Sequence, residues 1–159
     1  MSDYQIIDTN ADNIGGCSHC GNKNANNLGH RRKTNWLRER YAEGLRYKVL
    51  RSKKFGDVGM IEYSLGNYAW RPVAAEGYMV IHCLWVYGKH KGKGLGSLLL
   101  ESCLQDAMQS QCRGIAVVTS SDSLMAGSDL FLKAGFVSVD RIIGSSEASA
   151  ASYELLVKK

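Results

Sequence analysis

Apolar residues along the chain fall into short runs whose spacing switches between strand-like and helix-like. The densest run is Met79-Val80-Ile81-His82-Cys83-Leu84-Trp85-Val86, apolar at nearly every position, as expected of a central strand covered on both faces. Ile115 to Thr119 is a second such run. Between them Leu95, Leu98, Leu99, Cys103, Leu104, Ala107 and Met108 recur at largely helical intervals, while Glu101, Gln105 and Asp106 can face water. That pattern predicts a helix from Leu95 to about Met108. Strand, helix and strand in this order predict a parallel crossover unit.

Weaker signals frame this unit. Tyr4 to Ile7 reads as a short strand, and Asn10 to Asn27 as a polar loop or broken helix. Lys33 to Glu43 favours a helix closed by Gly44. Tyr47 to Leu50 and Val58 to Ser64, joined by a basic turn, predict a hairpin. A shorter helix is expected over Ala126 to Ala134, ending at Gly135. Two final strands follow, Phe136 to Ile143 and Tyr153 to Val157, separated by the Ser/Ala stretch Gly144 to Ser152. No internal repeat or linker interrupts the chain, so 1–159 reads as one α/β domain with a central mixed sheet flanked by helices.

Composition narrows the class. A chain of 159 residues, 45% apolar with one proline, is long enough for a buried core and is not of disordered composition. No apolar segment approaches the roughly 20 residues a spanning helix needs, and the first residues do not read as a signal peptide. Five cysteines in mixed contexts do not form a secreted disulfide framework, so reduced thiols and a cytoplasmic location are expected. The net charge of +5 suits an anionic partner, such as a phosphorylated cofactor or nucleic acid, and equally suits plain solubility.

The charge that matters lies between the central strand and its helix, in Gly88-Lys89-His90-Lys91-Gly92-Lys93-Gly94-Leu95-Gly96-Ser97. Glycines let successive backbone N–H groups turn inward, and the helix N-terminus adds the positive end of its dipole; together they make a nest for phosphate oxygens. Lys89, Lys91 and Lys93 add charge, and the Ser97 hydroxyl a further donor. A Walker A loop fits in no register. The dinucleotide pattern lacks its third glycine.

What does fit is basic-x-x-Gly-x-Gly, as Lys91-Gly92-Lys93-Gly94-Leu95-Gly96, shortly after an apolar strand. Here the sequence resembles the GCN5-related N-acetyltransferases, whose coenzyme A signature is Arg/Gln-x-x-Gly-x-Gly/Ala. Lysine replaces the usual first residue. Phe131-Leu132-Lys133-Ala134-Gly135-Phe136 resembles a second family segment, in the same order and at the same separation. The resemblance covers about 46–159 as a coenzyme A-binding core and weakens over 1–45, the variable acceptor side.

The resemblance implies the GNAT-like acyl-CoA N-acyltransferase fold and acetyl-CoA as cosubstrate, with no metal. The central strand would splay from its neighbour, and backbone groups of Leu84, Trp85 and Val86 would hold the pantetheine arm. Leu95, Ser128 and Phe131 would complete the cofactor contacts. A primary amine, on a small molecule or a peptide, would attack the thioester directly, giving an N-acetyltransferase. His82, with an ordinary pKa of about 6.5, is the expected base, with Glu62 and Glu76 as rival bases or amine-binding carboxylates. Phe131 stands where many members carry a thiolate-protonating tyrosine, and Leu124 where an asparagine is common.

Rival readings are specific. Cys17-Ser18-His19-Cys20 is a lone Cys-x-x-Cys without a second pair, so ordinary loop cysteines are expected rather than zinc, although His30 could join them. His30 to Lys33 with Arg38 and Arg40 could bind nucleic acid, but Glu39 and Glu43 interrupt the charge and no recognition motif is present, so a helix edge beside the acceptor cleft is favoured. A non-catalytic module binding coenzyme A is the alternative function. The last strands offer an edge on which a second copy could pair to form a homodimer.

Overall fold

The computed structural model describes residues 3–19, 24, 26–71, 73–120, 127–143 and 152–159. Strand β1 (Tyr4–Asp8) precedes a short 3-10 turn at Ile14–Gly16, and helix α1 spans Leu28–Arg40. The helix begins five residues before the expected Lys33, because the Asn27 side chain accepts hydrogen bonds from Gly29 N and His30 N and so caps two orphan donors. Asn27→Ala is expected to cost about 1 kcal/mol, read as a lower urea midpoint with unchanged slope. A 3-10 turn at Tyr41–Glu43 ends at Gly44, whose φ of 88° is left-handed, as the sequence suggests.

Strands β2 (Arg46–Ser52), β3 (Gly56–Leu65), β4 (Tyr78–Val86) and β5 (Gly114–Ser120) follow, with helix α2 (Leu95–Gln109) crossing between β4 and β5. Helix α3 (Ser128–Lys133) and strands β6 (Val137–Ile143) and β7 (Ser152–Lys158) complete the chain. The expected helix start at Ala126, the Leu124 position, most of the Ser/Ala stretch and Cys20 lie outside the described residues.

The seven strands form one mixed sheet in the order β1-β2-β3-β4-β5-β7-β6. Among the described strands only β4 and β5 run parallel, which the α2 crossover makes possible. One face packs on α2 and α3 through Ile61, Ile81, Leu84, Leu99, Phe131 and Leu156. The other lies under α1, where Leu37 meets Tyr47, Val49 and Met60. The buried stripe of α2 is narrower than its apolar composition suggests: Leu95, Leu99, Leu100, Cys103 and Ala107 are buried, but Leu98 and Met108 are exposed at 43% and 78%. Every residue of the edge strand β6 is exposed.

Candidate active site

The site begins with a break in β4. Glu62 is opposite Cys83 and Tyr63 opposite Ile81, which leaves His82 without a partner residue on β3. One extra residue in a ladder is a β-bulge, and it reverses the alternation of side chains beyond it. Met79 and Ile81 point into the α2-side core before the bulge, Leu84 and Val86 after it. Pairing with β5 also stops here: the ladder runs from Tyr78↔Gly114 to Ile81↔Val117 and no further, while β5 goes on pairing with β7 through Ser120. The backbone of Leu84, Trp85 and Val86 therefore borders an opening between two strands.

A cavity of about 450 Å³ adjoins this stretch of β4, bounded by Leu84 to Val86, the loop before α2, and α3. The loop is shaped by Gly92 and Gly94, with φ of 79° and 76°, values that residues with a Cβ adopt only under strain. Gly94 is the N-cap of α2 and supplies no side-chain cap. Leu98 N bonds to Gly94 O as the helix starts, so the N–H groups just before it lack intrahelical partners and carry the positive end of the helix dipole. A Cβ at Gly96 would lie 3.2 Å from Leu130 Cδ2; glycine lets α3 close the cavity.

Lys91, Gly92, Gly94, Leu95, Gly96 and Ser97 line this cavity as expected. Lys93 does not. Lys91 Nζ is 5.3 Å from the Trp85 ring. Two residues of the expected cofactor set lie outside this lining. Phe131 is fully buried, edge-on to Phe136 at 5.4 Å, because a ring without a hydroxyl has no reason to leave the core. Ser128, in the first turn of α3, is likewise not among the lining residues. Leu130 and Lys133, three apart on α3, face the cavity instead, joined by His90 and Gly127. Lys133 stands inside the Phe-x-Lys-x-Gly-Phe segment, so a sequence signal for it existed.

On the opposite face lie the groups expected to handle protons. Glu62, 1% exposed, takes an ion pair from Lys33 Nζ at 2.5 Å, and that ammonium also sits 4.4 Å from the Trp36 ring. His82 is fully buried, with Nε2 2.8 Å from Ser64 Oγ and its ring stacked on Trp70 at 4.8 Å. Arg71 Nη2 donates to the His82 carbonyl at 3.0 Å. Burial first, then the charges of Arg71 and Lys33, push the His82 pKa down to about 3. Burial and the neighbouring cations thus disfavour the imidazolium at His82 and hold its pKa below the ordinary value of about 6.5. Glu76 is exposed in the turn before β4, at the end away from Leu84 to Val86.

The remaining motifs are placed as follows. Cys17 is buried with Sγ 3.7 Å from Asn13 O, and burial foremost raises its thiol pKa. His30 Nε2 bonds to the Cys17 carbonyl at 2.9 Å, and His19 Nε2 to Thr34 Oγ1 at 2.7 Å. Among the described residues no three His, Cys, Asp or Glu side chains gather as metal donors. In α1, Lys33 is held by Glu62 and Arg40 by Glu43, so part of the basic stretch is internally neutralised. No helix among the described residues is long and apolar enough to cross a membrane.

The model of the acetyltransferase (GNAT) family matches residues 30–136, and the chain belongs to that family. It is 38% identical over 99 residues to the uncharacterized N-acetyltransferase YoaP of Bacillus subtilis (strain 168), an alignment covering 61% of this chain and 38% of YoaP. The chain thus matches less than half the length of that relative. In fold it is similar to yncA of Salmonella typhimurium, solved with its cofactor acetyl-CoA (TM-score 0.75, 16% identity, 99% of this chain and 94% of that one). It also resembles Arabidopsis thaliana NAA60 in complex with a bisubstrate analogue (TM-score 0.65, 14% identity, 98% of each chain). At such identities the likeness concerns the fold.

Proposed function

We propose that this chain is an N-acetyltransferase that moves an acetyl group from acetyl-CoA to a primary amine by direct attack in a ternary complex. The observation that carries the reading is a cavity at the N-terminus of α2 that is lined by Leu84 to Val86, the β4 residues beyond its last pair with β5. Glycine-shaped amides, a helix dipole and the lysines Lys91 and Lys133 suit a diphosphate. Acetyl-CoA would supply an activated acyl carbon as a thioester. Amides of Gly92 to Ser97 would hold its diphosphate, and the backbone of Leu84 to Val86 its pantetheine arm and carbonyl oxygen. A donor preorganised for a developing oxyanion contributes on the order of 3 kcal/mol; holding the amine in line supplies much of the rest.

In this reading Glu62 holds and deprotonates the acceptor ammonium, which replaces the Lys33 ammonium beside it. His82 remains neutral and positions the bulge through Ser64 and Trp70. Residues 46–159 form the cofactor core, and 1–45 contribute α1 to the acceptor side of the same domain. The free cysteines Cys17, Cys103 and Cys112 suit a reducing compartment, and we place the enzyme in the cytoplasm.

Calorimetry with acetyl-CoA, followed by thiol release with a panel of amines, tests the function. Binding with amine-dependent release is expected; binding without release on any amine would mark a regulatory module, a reading that the buried, hydroxyl-free Phe131 favours. A pH profile tests His82. Because its folded pKa lies near 3, its charge does not change between pH 5.5 and 8.5. The kcat/KM profile of His82→Asn is expected to keep the wild-type shape at lower amplitude, and loss of an acid limb near pH 6–7 in the variant would restore His82 as the base.

A further inference from the structure

Helix α1 lies over the sheet face turned away from α2, anchored by Leu37, which is fully buried against Tyr47, Val49 and Met60. Lys33 precedes Leu37 by four residues, so the two share the sheet-facing side of the helix. The Lys33 side chain is 27% exposed, and its Nζ ends on Glu62 Oε1 at 2.5 Å, 4.4 Å from the Trp36 ring. Glu62 faces Cys83 across the β3–β4 ladder. Cys83 directly precedes Leu84 to Val86, the stretch of β4 that has parted from β5. Burial first, then the charges of Arg71 and Lys33, hold the His82 pKa low, so the same ammonium is within electrostatic reach of the bulge. Other lysines serve elsewhere: Lys48 pairs with Asp106 beneath α2, and Lys91 and Lys133 line the cavity at the N-terminus of α2.

We infer that Lys33 is itself an acetyl acceptor, modified by the acetyl-CoA bound to its own chain. The inference rests on the transferase reading above and deepens it, because the cation already seated on the base of that reading is a primary alkylammonium, the class of group the reaction consumes. A strand advances about 3.3 Å per residue, and residues facing each other in an antiparallel ladder have Cα atoms about 5 Å apart. The flexible four-carbon stem of a lysine spans such distances once its tip leaves the carboxylate. An acceptor carried by the same chain needs no encounter, which raises its effective concentration far above that of a free amine.

In the transfer the Lys33 ammonium gives one proton to Glu62, and its nitrogen forms a bond to the acetyl carbonyl carbon as the carbon–sulfur bond breaks. A second proton leaves the nitrogen and is taken up by the departing thiolate. The product amide is neutral, so the ion pair with Glu62 ends.

The test incubates the full chain with isotope-labelled acetyl-CoA and no added amine, then maps acetyl-lysine by peptide mass spectrometry. The label separates new acetyl groups from any acquired during expression. Lys33 is expected to be acetylated at least about tenfold faster than any other lysine, at a rate per chain independent of chain concentration. A burst of thiol stoichiometric with the chain is expected to accompany it, and to vanish in Lys33→Arg, which keeps a cation on Glu62. Glu62→Gln is expected to slow the labelling on the order of 100-fold with unchanged calorimetric affinity for acetyl-CoA. Gly94→Val, assayed below saturation, is expected to slow it about 30- to 100-fold, in step with weaker cofactor binding. Lys33 found acetylated as purified in the wild type, but not in Gly94→Val, is the same result. Labelling of Lys33 no faster than of other lysines, or at a rate that rises with chain concentration, would overturn the inference alone. Absence of acetyl-CoA binding, or of thiol release with every amine and with Lys33 alike, would overturn the transferase reading with it.

Discussion

Gly94→Val is expected to weaken acetyl-CoA binding about 30- to 100-fold while the chain still folds. Gly94 sits at φ 76° as the N-cap of α2, where a β-branched residue adds strain on the order of 1–3 kcal/mol. Relief of that strain rotates the peptide units that present the amides of Leu95 to Ser97, so the loss falls on the anion site rather than on the core. A loss of about 2–3 kcal/mol corresponds to that range in Kd. Nothing lies within 4 Å of a Cβ built at Gly94, so no clash confuses the result. Gly88 provides the control, since its Cβ would also meet open space but its φ is not positive. Gly88→Ala is expected to bind normally. Calorimetric Kd values alongside ligand-free melting temperatures check both, and a Kd for Gly94→Val within twofold of wild type would remove the nest from the account.

The largest effect on stability is expected beneath α2. Lys48 of β2 reaches Asp106 of α2 at 2.9 Å and Ser102 Oγ at 2.8 Å, and Tyr63 of β3 donates its hydroxyl to the same carboxylate. The Lys48 and Asp106 side chains are only 10% and 14% exposed, so Asp106→Ala leaves a lysine charge and a phenol without their acceptor. A cost of about 3 kcal/mol is expected from urea unfolding. Burial raises the Asp106 pKa, but the Tyr63 hydrogen bond and the hydrogen bond and charge of Lys48 outweigh it and hold the carboxyl below its ordinary 3.8. The folded-state pKa is the lower one. This contribution is therefore complete above about pH 4 and disappears as pH falls through the folded value. A loss below 1 kcal/mol, or one unchanged in acid, would contradict the assignment.

Much of this architecture was readable in the chain because the strongest patterns belong to the elements that form the site. β4 and β5 are apolar nearly throughout because both of their faces are covered, and the Gly/Lys loop between β4 and α2 places glycine at the two left-handed positions, Gly92 and Gly94. The bulge was hidden by the same richness. Its signature is a shift from Met79 and Ile81 to Leu84 and Val86 as core-facing residues, but Val80, Cys83 and Trp85 are apolar as well, so no alternation stood out. The start of α1 was missed because the polar stretch before it conceals Asn27 as a cap. The strand of His82 is legible in the sequence, but the burial that lowers its pKa is not, since it depends on contacts with Ser64, Trp70 and Arg71 made only by folding. The motif assigns Phe131 to the cofactor side, and the fold buries its ring fully beside Phe136.

A crystal structure of the chain with acetyl-CoA tests the central claim most directly. The expected result is a diphosphate within hydrogen-bonding distance of main-chain N–H groups between Gly92 and Ser97, with the acetyl carbonyl beside the backbone of Leu84 to Val86. A nucleotide bound elsewhere on the surface, with the mouth of α2 untouched and β4 still apart from β5, would contradict it.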